Sequence, residues 1–348
     1  MVSNPSLFPA VFVLNAWLLG YHHVVSTFTR LTFDSGSFKR HRFLVTWLPL
    51  IVLAAAVVAC AFLGTWILTT VYLYWQWWHY TRQSYGVSRI YQRKAGLEAR
   101  STLRASPWSA GTRHRFGQSA DQSAHSKEAP RSNFTSTADD DLLHKLVIYA
   151  LPVWGILYRS WQAPEQFLFT EVRVIPVPLW LVAAAGSVTL LAIAWWVVQT
   201  IRNWFAGTLS VAHSLYLCSH LLIFGIGYLA ISNINQGWLV VTVWHNCQYI
   251  LTVWMFNNNR FKEAVDPKHR FLSFISQRRR VFTYLGVCLL LSTAIYSALQ
   301  YSLSWIAIAT ASSLPLFAIV FQAINFHHYV VDAIIWRRAA VSSQASID

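Results

Sequence analysis

The chain has 348 residues, 55% of them hydrophobic and only 11% charged, where soluble domains carry about 25% charged residues. Its apolar runs of roughly 20 residues exclude a soluble fold, and also a β-barrel, whose spans are short alternating segments. The formal net charge of +14 would suggest nucleic acid in a soluble domain; in so apolar a chain it marks cytoplasmic loops facing anionic lipid, so the expected partner is the bilayer and not nucleic acid.

The pattern predicts an all-α, polytopic membrane helical bundle of about nine transmembrane helices. They lie at about 8–24, 43–63, 65–85, 143–160, 177–199, 207–231, 236–257, 281–300 and 306–336. Residues 1–91 hold the first three spans and 142–340 the other six, within one membrane domain. Between them, 92–141 is rich in Ser, Ala, Arg and Asp and reads as a disordered cytoplasmic loop. Asn133-Phe134-Thr135 in it has a glycosylation pattern, unused on that side. The N-terminus lacks a basic region, so the first apolar stretch reads as a retained span. Pro152 and Pro315 fall inside spans, and 302–304 forms a short loop. Cys60, Cys218, Cys247 and Cys288 lie in apolar segments without a CxxC pair, which speaks against a disulfide framework or a zinc finger.

The loops sort by charge. Arg30, Lys39, Arg40, Arg42, Arg89, Arg93, Lys94, Arg202, Arg260, Lys262, the Arg278-Arg279-Arg280 run, Arg337 and Arg338 share one side. The other side has few cations. The positive-inside rule then places the N-terminus outside and the C-terminus in the cytoplasm, the parity nine spans require.

Eight of the thirteen histidines sit inside or at the ends of spans: His22, His23, His79, His213, His220, His245, His327 and His328. Ionisable groups in hydrocarbon are costly and mark function, and neutral imidazole is the commonest metal ligand. Under the charge-derived topology these residues share the cytoplasmic half of the bilayer. A metal site requires such a common depth. The candidate ligands are His22, His23, His79, His245, His327 and His328, with one ring of each adjacent pair able to face a given point, and His213 and His220 as possible additional ligands. His41, His114, His125, His144 and His269 fall in loops or at an interface and carry no claim. Asp332, four residues after His328, shares its helix face and suits an acceptor that fixes an imidazole tautomer. An ion pair with Arg337 or Arg338 is its other expected role. Arg82, Gln83, Gln248 and Tyr249 are the polar companions of His79 and His245.

The order of these motifs resembles the Brp/Blh-type membrane β-carotene dioxygenases. The motifs are Gly20-Tyr21-His22-His23, His79-Tyr80, His245-Asn246-Cys247-Gln248-Tyr249 and His327-His328-Tyr329-Val330-Val331-Asp332. The first lacks the family's Asp, the last lacks its Pro, and Tyr249 stands where the family has a second helical His. The resemblance implies a His-bound non-haem iron, with ligands at His22 or His23, His79 and His245, and His327 as a ligand or near neighbour. It also implies cleavage of a carotenoid or other polyene. On the residues alone, the leading reading is an iron oxygenase acting on a lipophilic substrate held by aromatic side chains. The alternatives are a haem-binding electron-transfer protein, with axial histidines on facing helices, and a transporter whose histidines relay protons or bind a transported metal.

Overall fold

The computed structural model describes residues 7–33, 35–105, 138–261 and 264–345. Nearly all of this is helix, as a chain in hydrocarbon requires, because every backbone N–H and C=O must be paired within the protein. Helices α1 (Leu7–Asn15) and α2 (His22–Thr32) are joined by a π-turn, Ala16–Tyr21, into the first long apolar element. Short helices α3 (Ser35–Arg40) and α4 (Arg42–Thr46) lead to α5 (Leu48–Leu63), α6 (Trp66–Ala105) and α7 (Ala138–Trp161). A two-stranded hairpin comes next, β1 (Gln166–Phe167) with β2 (Thr170–Glu171). Then come α8 (Leu179–Phe205), α9 (Val211–Gly225) with a π-turn at Ile226–Ala230, α10 (Ile234–Phe261), α11 (Arg270–Ile275), α12 (Val281–Ala309) and α13 (Leu316–Ala345).

Six helical stretches among the described residues are long and apolar enough to cross a membrane: Leu7–Thr29, Asp141–Trp161, Leu179–Phe205, Val211–Ala230, Arg278–Ala309 and Leu316–Ile335. The chain is a multi-pass, all-α membrane bundle. The other expected spans fall on α5, which is apolar but only 16 residues long, and on α6 and α10. These last two are long but fall short in apolar content, and both carry polar site residues.

Three boundaries differ from the sequence reading. The loop expected over 92–141 is helical at its ends, to Ala105 and from Ala138, since Arg, Lys, Glu, Leu and Ala are strong helix formers. Asn133-Phe134-Thr135, His114 and His125 lie outside the described residues. Ser302-Leu303-Ser304 is helical, with Ser304 Oγ bonded back to the Gln300 carbonyl at 2.8 Å. The break comes instead at 310–315, where Ala311 takes a φ of 47° and Pro315 stands just before α13. Proline fits there because a helix start leaves its N–H unpaired in any case.

Two devices lock the elements around the site. Arg159, 1% exposed, ends α7. It donates to the carbonyls of Gly227 (2.9 Å), Ser232 (2.7 Å) and Ile231 and to Gln162 Oε1 (2.8 Å). It thereby serves the negative end of α9, where a π-turn leaves carbonyls unpaired. Beside it, Gly227 and Gly237 bring α9 and α10 into backbone contact; a Cβ on either would collide with the other chain segment.

The second device explains a histidine. Pro152 lies inside α7 and has no N–H, so the Ile148 carbonyl four residues earlier loses its helical donor. His220 Nε2 replaces it at 3.0 Å, while Nδ1 meets Ser84 Oγ at 2.7 Å. Both ring nitrogens are engaged, so His220 closes the gap left by a proline rather than holding a metal. His220→Leu should lower the unfolding midpoint by the equivalent of about 1–3 kcal/mol, the cost of an unpaired buried carbonyl. In a Pro152→Ala background, where the backbone donor returns, the loss should shrink to under about 1 kcal/mol. Equal losses in both backgrounds, measured by thermal unfolding in detergent, would overturn the pairing.

Candidate metal centre

Four polar side chains meet deep in the bundle from three elements: His23 on α2, His79 on α6, and His328 with Asp332 on α13. One ligand atom from each lies within 4.8 Å of the others, and all four residues are buried. The π-turn just before α2 inserts a residue, which rotates α2 by roughly 100° about its axis and sets which of His22 and His23 enters the bundle. His328 and Asp332, four apart, share one face of α13.

The hydrogen bonds run as a chain. Tyr249 Oη donates to Asp332 Oδ1 at 2.7 Å. Thr27 Oγ1 lies 2.6 Å from Tyr249 Oη, and His328 Nδ1 lies 3.1 Å from Thr27 Oγ1. Each hydroxyl has one proton. With the Tyr249 proton on Asp332, Thr27 donates to Tyr249 and His328 Nδ1–H donates to Thr27. This fixes the tautomer of His328: its Nε2 carries the lone pair. That nitrogen is 2.7 Å from His23 Nε2 and 3.4 Å from Asp332 Oδ2, which is itself 3.9 Å from His79 Nε2.

His23 Nδ1, His79 Nε2 and both nitrogens of His245 have no hydrogen-bond partner in the protein. The His245 ring lies 4.9 Å from that of His23 and 5.0 Å from that of His79, centre to centre. Buried polar atoms are normally paired. Neutral imidazoles with open lone pairs around one carboxylate are the donor set of a divalent transition metal, so the cluster could hold a metal ion. Aromatic rings fix the imidazoles: Tyr329 stacks on His79 at 4.4 Å, Tyr80 lies 3.8 Å from His245, and Tyr249 lies 4.1 Å from His23.

The remaining candidates lie elsewhere. His327 points away from the cluster: Nε2 meets the Leu44 carbonyl at 2.6 Å and the ring stacks on Phe28, because consecutive helix positions face different directions. His22 is buried and hydrogen-bonded to the Leu18 carbonyl, outside the ligand set. His213 packs edge-on against His144, ring centres 5.0 Å apart. His144 itself is buried on α7, not in a loop, with Nε2 on Ser88 Oγ at 2.8 Å. Gln248 accepts from Tyr216 on another face of α10. Gln83 donates to the His245 carbonyl at 3.4 Å and so bears on the backbone, while Arg82 is half-buried and gives no atom to the set. Asp332 is engaged by Tyr249 and faces imidazoles; the side chains of Arg337 and Arg338 lie outside those described. Sequence reasoning missed Thr27, although its position four residues after His23 was a usable signal, and the π-turn, which leaves none.

A narrow, partly open cavity of about 60 Å³ adjoins the cluster. His23, His245 and His328 line one part of it, and Phe12, Tyr21, Tyr296, Phe321 and Trp238 are among the aromatic side chains that line it elsewhere. Leu168 also reaches it from the β1–β2 hairpin, where Leu168 and Phe169 hold positive φ of 50° and 66°. Asn235 Oδ1, which accepts from the Leu168 N–H at 2.8 Å, and packing of Phe169 on Phe8 and Phe12 hold that strained turn.

No family model, curated protein or solved structure matches the chain. The site therefore rests on its own geometry. Two neighbouring histidines separate ligation from packing. His328→Ala should cost about 10-fold or more of the metal content of purified protein, whereas His327→Ala should leave it unchanged; Tyr249→Phe and Asp332→Asn should lower affinity about 10–100-fold without unfolding the protein. Equal metal loss in the His327 and His328 variants would remove the assignment.

Proposed function

We propose that this chain is an integral-membrane, non-haem iron oxygenase that acts on a lipophilic substrate such as a carotenoid or other polyene. One observation carries the reading: a buried three-histidine, one-carboxylate set, with His245 beside it, opens onto an aromatic cavity inside a membrane bundle. Iron suits histidine and carboxylate ligands with open positions, and when bound it supplies the activation of dioxygen. His23, His79 and His328 would hold it with Asp332, and His245 is the nearest further imidazole. The close approach of these groups from three elements favours a single ion over haem, since the 2.7 Å between His23 and His328 leaves no room for a macrocycle.

The protein's own part is to orient and to exclude water. The Asp332–Tyr249–Thr27 chain keeps the proton on His328 Nδ1 and its Nε2 lone pair toward the site. The aromatic cavity would seat an extended apolar molecule with its reacting carbons near the histidines. Dioxygenase cleavage of one C=C bond by one O₂ gives two carbonyls, so it needs no external reductant. This reading keeps nine spans with the N-terminus outside, which puts the cluster in the cytoplasmic half of the bilayer.

The test is metal analysis and an optical spectrum on protein in mild detergent, then O₂-dependent turnover of a polyene by chromatography. Near-stoichiometric iron, no Soret band and carbonyl products are expected. A Soret band would replace the reading with the haem one, and absence of bound metal would replace it with a proton- or metal-coupled transporter.

A further inference from the structure

Not all of the cavity wall is apolar. Asn15 and Asn246 line it, exposed by only 6% and 4%, and each leaves a side-chain atom unpaired in the protein: Asn15 Oδ1, an acceptor, and Asn246 Nδ2, a donor. They come from different helices, α1 and α10. Both residues flank Gly20 and line the same cavity. The position a Cβ would take there lies 3.8 Å from the main-chain carbonyl oxygen of Asn15 and 4.0 Å from Asn246 Nδ2. Gly20 itself lines the cavity, as do His23, His245 and His328, so the amides and the histidines share one cavity.

An unpaired donor and an unpaired acceptor in an apolar wall specify their complement. A hydrocarbon leaves both unsatisfied. A ketone or ether accepts from Asn246 but offers Asn15 nothing. A hydroxyl serves both, donating its proton to Asn15 Oδ1 and accepting from Asn246 Nδ2. If both amides were turned, a hydroxyl would still meet one donor and one acceptor. We propose that Asn15 and Asn246 form a hydroxyl-recognition subsite, and that the natural ligand of this cavity is a long apolar alcohol rather than a hydrocarbon. The proposal rests on the reading of the cavity as a substrate site. It adds that the oxygen function sits in the same cavity as the histidines. A site built to bond a hydroxyl rejects the analogue lacking it, because its own polar groups are then stranded.

The probes are three conjugated C18 tetraenes: the terminal alcohol, its methyl ether and the hydrocarbon without oxygen. Binding to purified wild-type protein is read by energy transfer from tryptophan. The alcohol should bind at least about 10-fold more tightly than the hydrocarbon, with the ether between them. Asn15→Leu and Asn246→Leu should each reduce the alcohol's advantage to under about threefold, with hydrocarbon affinity kept or raised. Equal affinity of all three probes for wild-type protein would overturn the subsite, since the amides would then be served by water alone. So would failure of every probe to bind. The wild-type comparison stands even if a leucine variant fails to fold. Metal content is measured on the same samples. Alcohol preference without bound metal would end the oxygenase reading and leave the subsite standing; bound iron without alcohol preference would do the reverse.

Discussion

The structure depends on one bond more than any other, the 2.7 Å contact between Tyr249 and Asp332. A carboxylate in the interior of a membrane bundle is tolerable only if its oxygens find donors. Tyr249 supplies one, and because a phenol has a single proton, the choice propagates. Thr27 must turn toward Tyr249, His328 must turn toward Thr27, and the free lone pair of His328 is left facing His23. Three helices are registered to each other by this chain of single-proton decisions: α2 through Thr27, α10 through Tyr249, α13 through His328 and Asp332. The cluster is thus a consequence of satisfying one charge.

The same rule, that no polar group in hydrocarbon goes unserved, separates the histidines by role. His220 serves a carbonyl that Pro152 abandons, and His327 serves the Leu44 carbonyl on α4. What distinguishes His23, His79 and His245 is that rings with unpartnered nitrogens gather against one another beside a buried carboxylate. Neutral imidazoles with open nitrogens gathered around one carboxylate suit a ligand from outside the chain. Burial alone carries no such message, since His220 is the most buried of them.

Much of this was legible in the chain and some was not. Long apolar runs gave the membrane bundle, because spanning helices have a length the bilayer imposes. The concentration of histidines in apolar segments pointed to residues that the fold brings together, and the four-residue spacing of His328 and Asp332 put both on one face. Sequence could not choose between His22 and His23, or between His327 and His328. Adjacent residues differ by about 100° in direction, and the choice within the first pair depends on a π-turn at Ala16–Tyr21 that no residue announces. The role of His220 needed two helices at once: its reason is Pro152, far away in the chain.

Arg159 has a consequence for how the bundle is assembled. Three of its acceptors are carbonyls of Gly227, Ile231 and Ser232, made some seventy residues later in synthesis. Until α9 arrives with its loosened end, α7 carries a guanidinium whose partners do not yet exist, and a charge in that state is drawn to the water at the membrane surface. Only when the π-turn of α9 presents its carbonyls does the final turn of α7 become a stable part of the interior. Gly227 then meets Gly237 and aligns the helix that carries His245 and Tyr249. The charge at the end of α7 thus ties that helix to the end of α9, beside the helix that carries His245 and Tyr249.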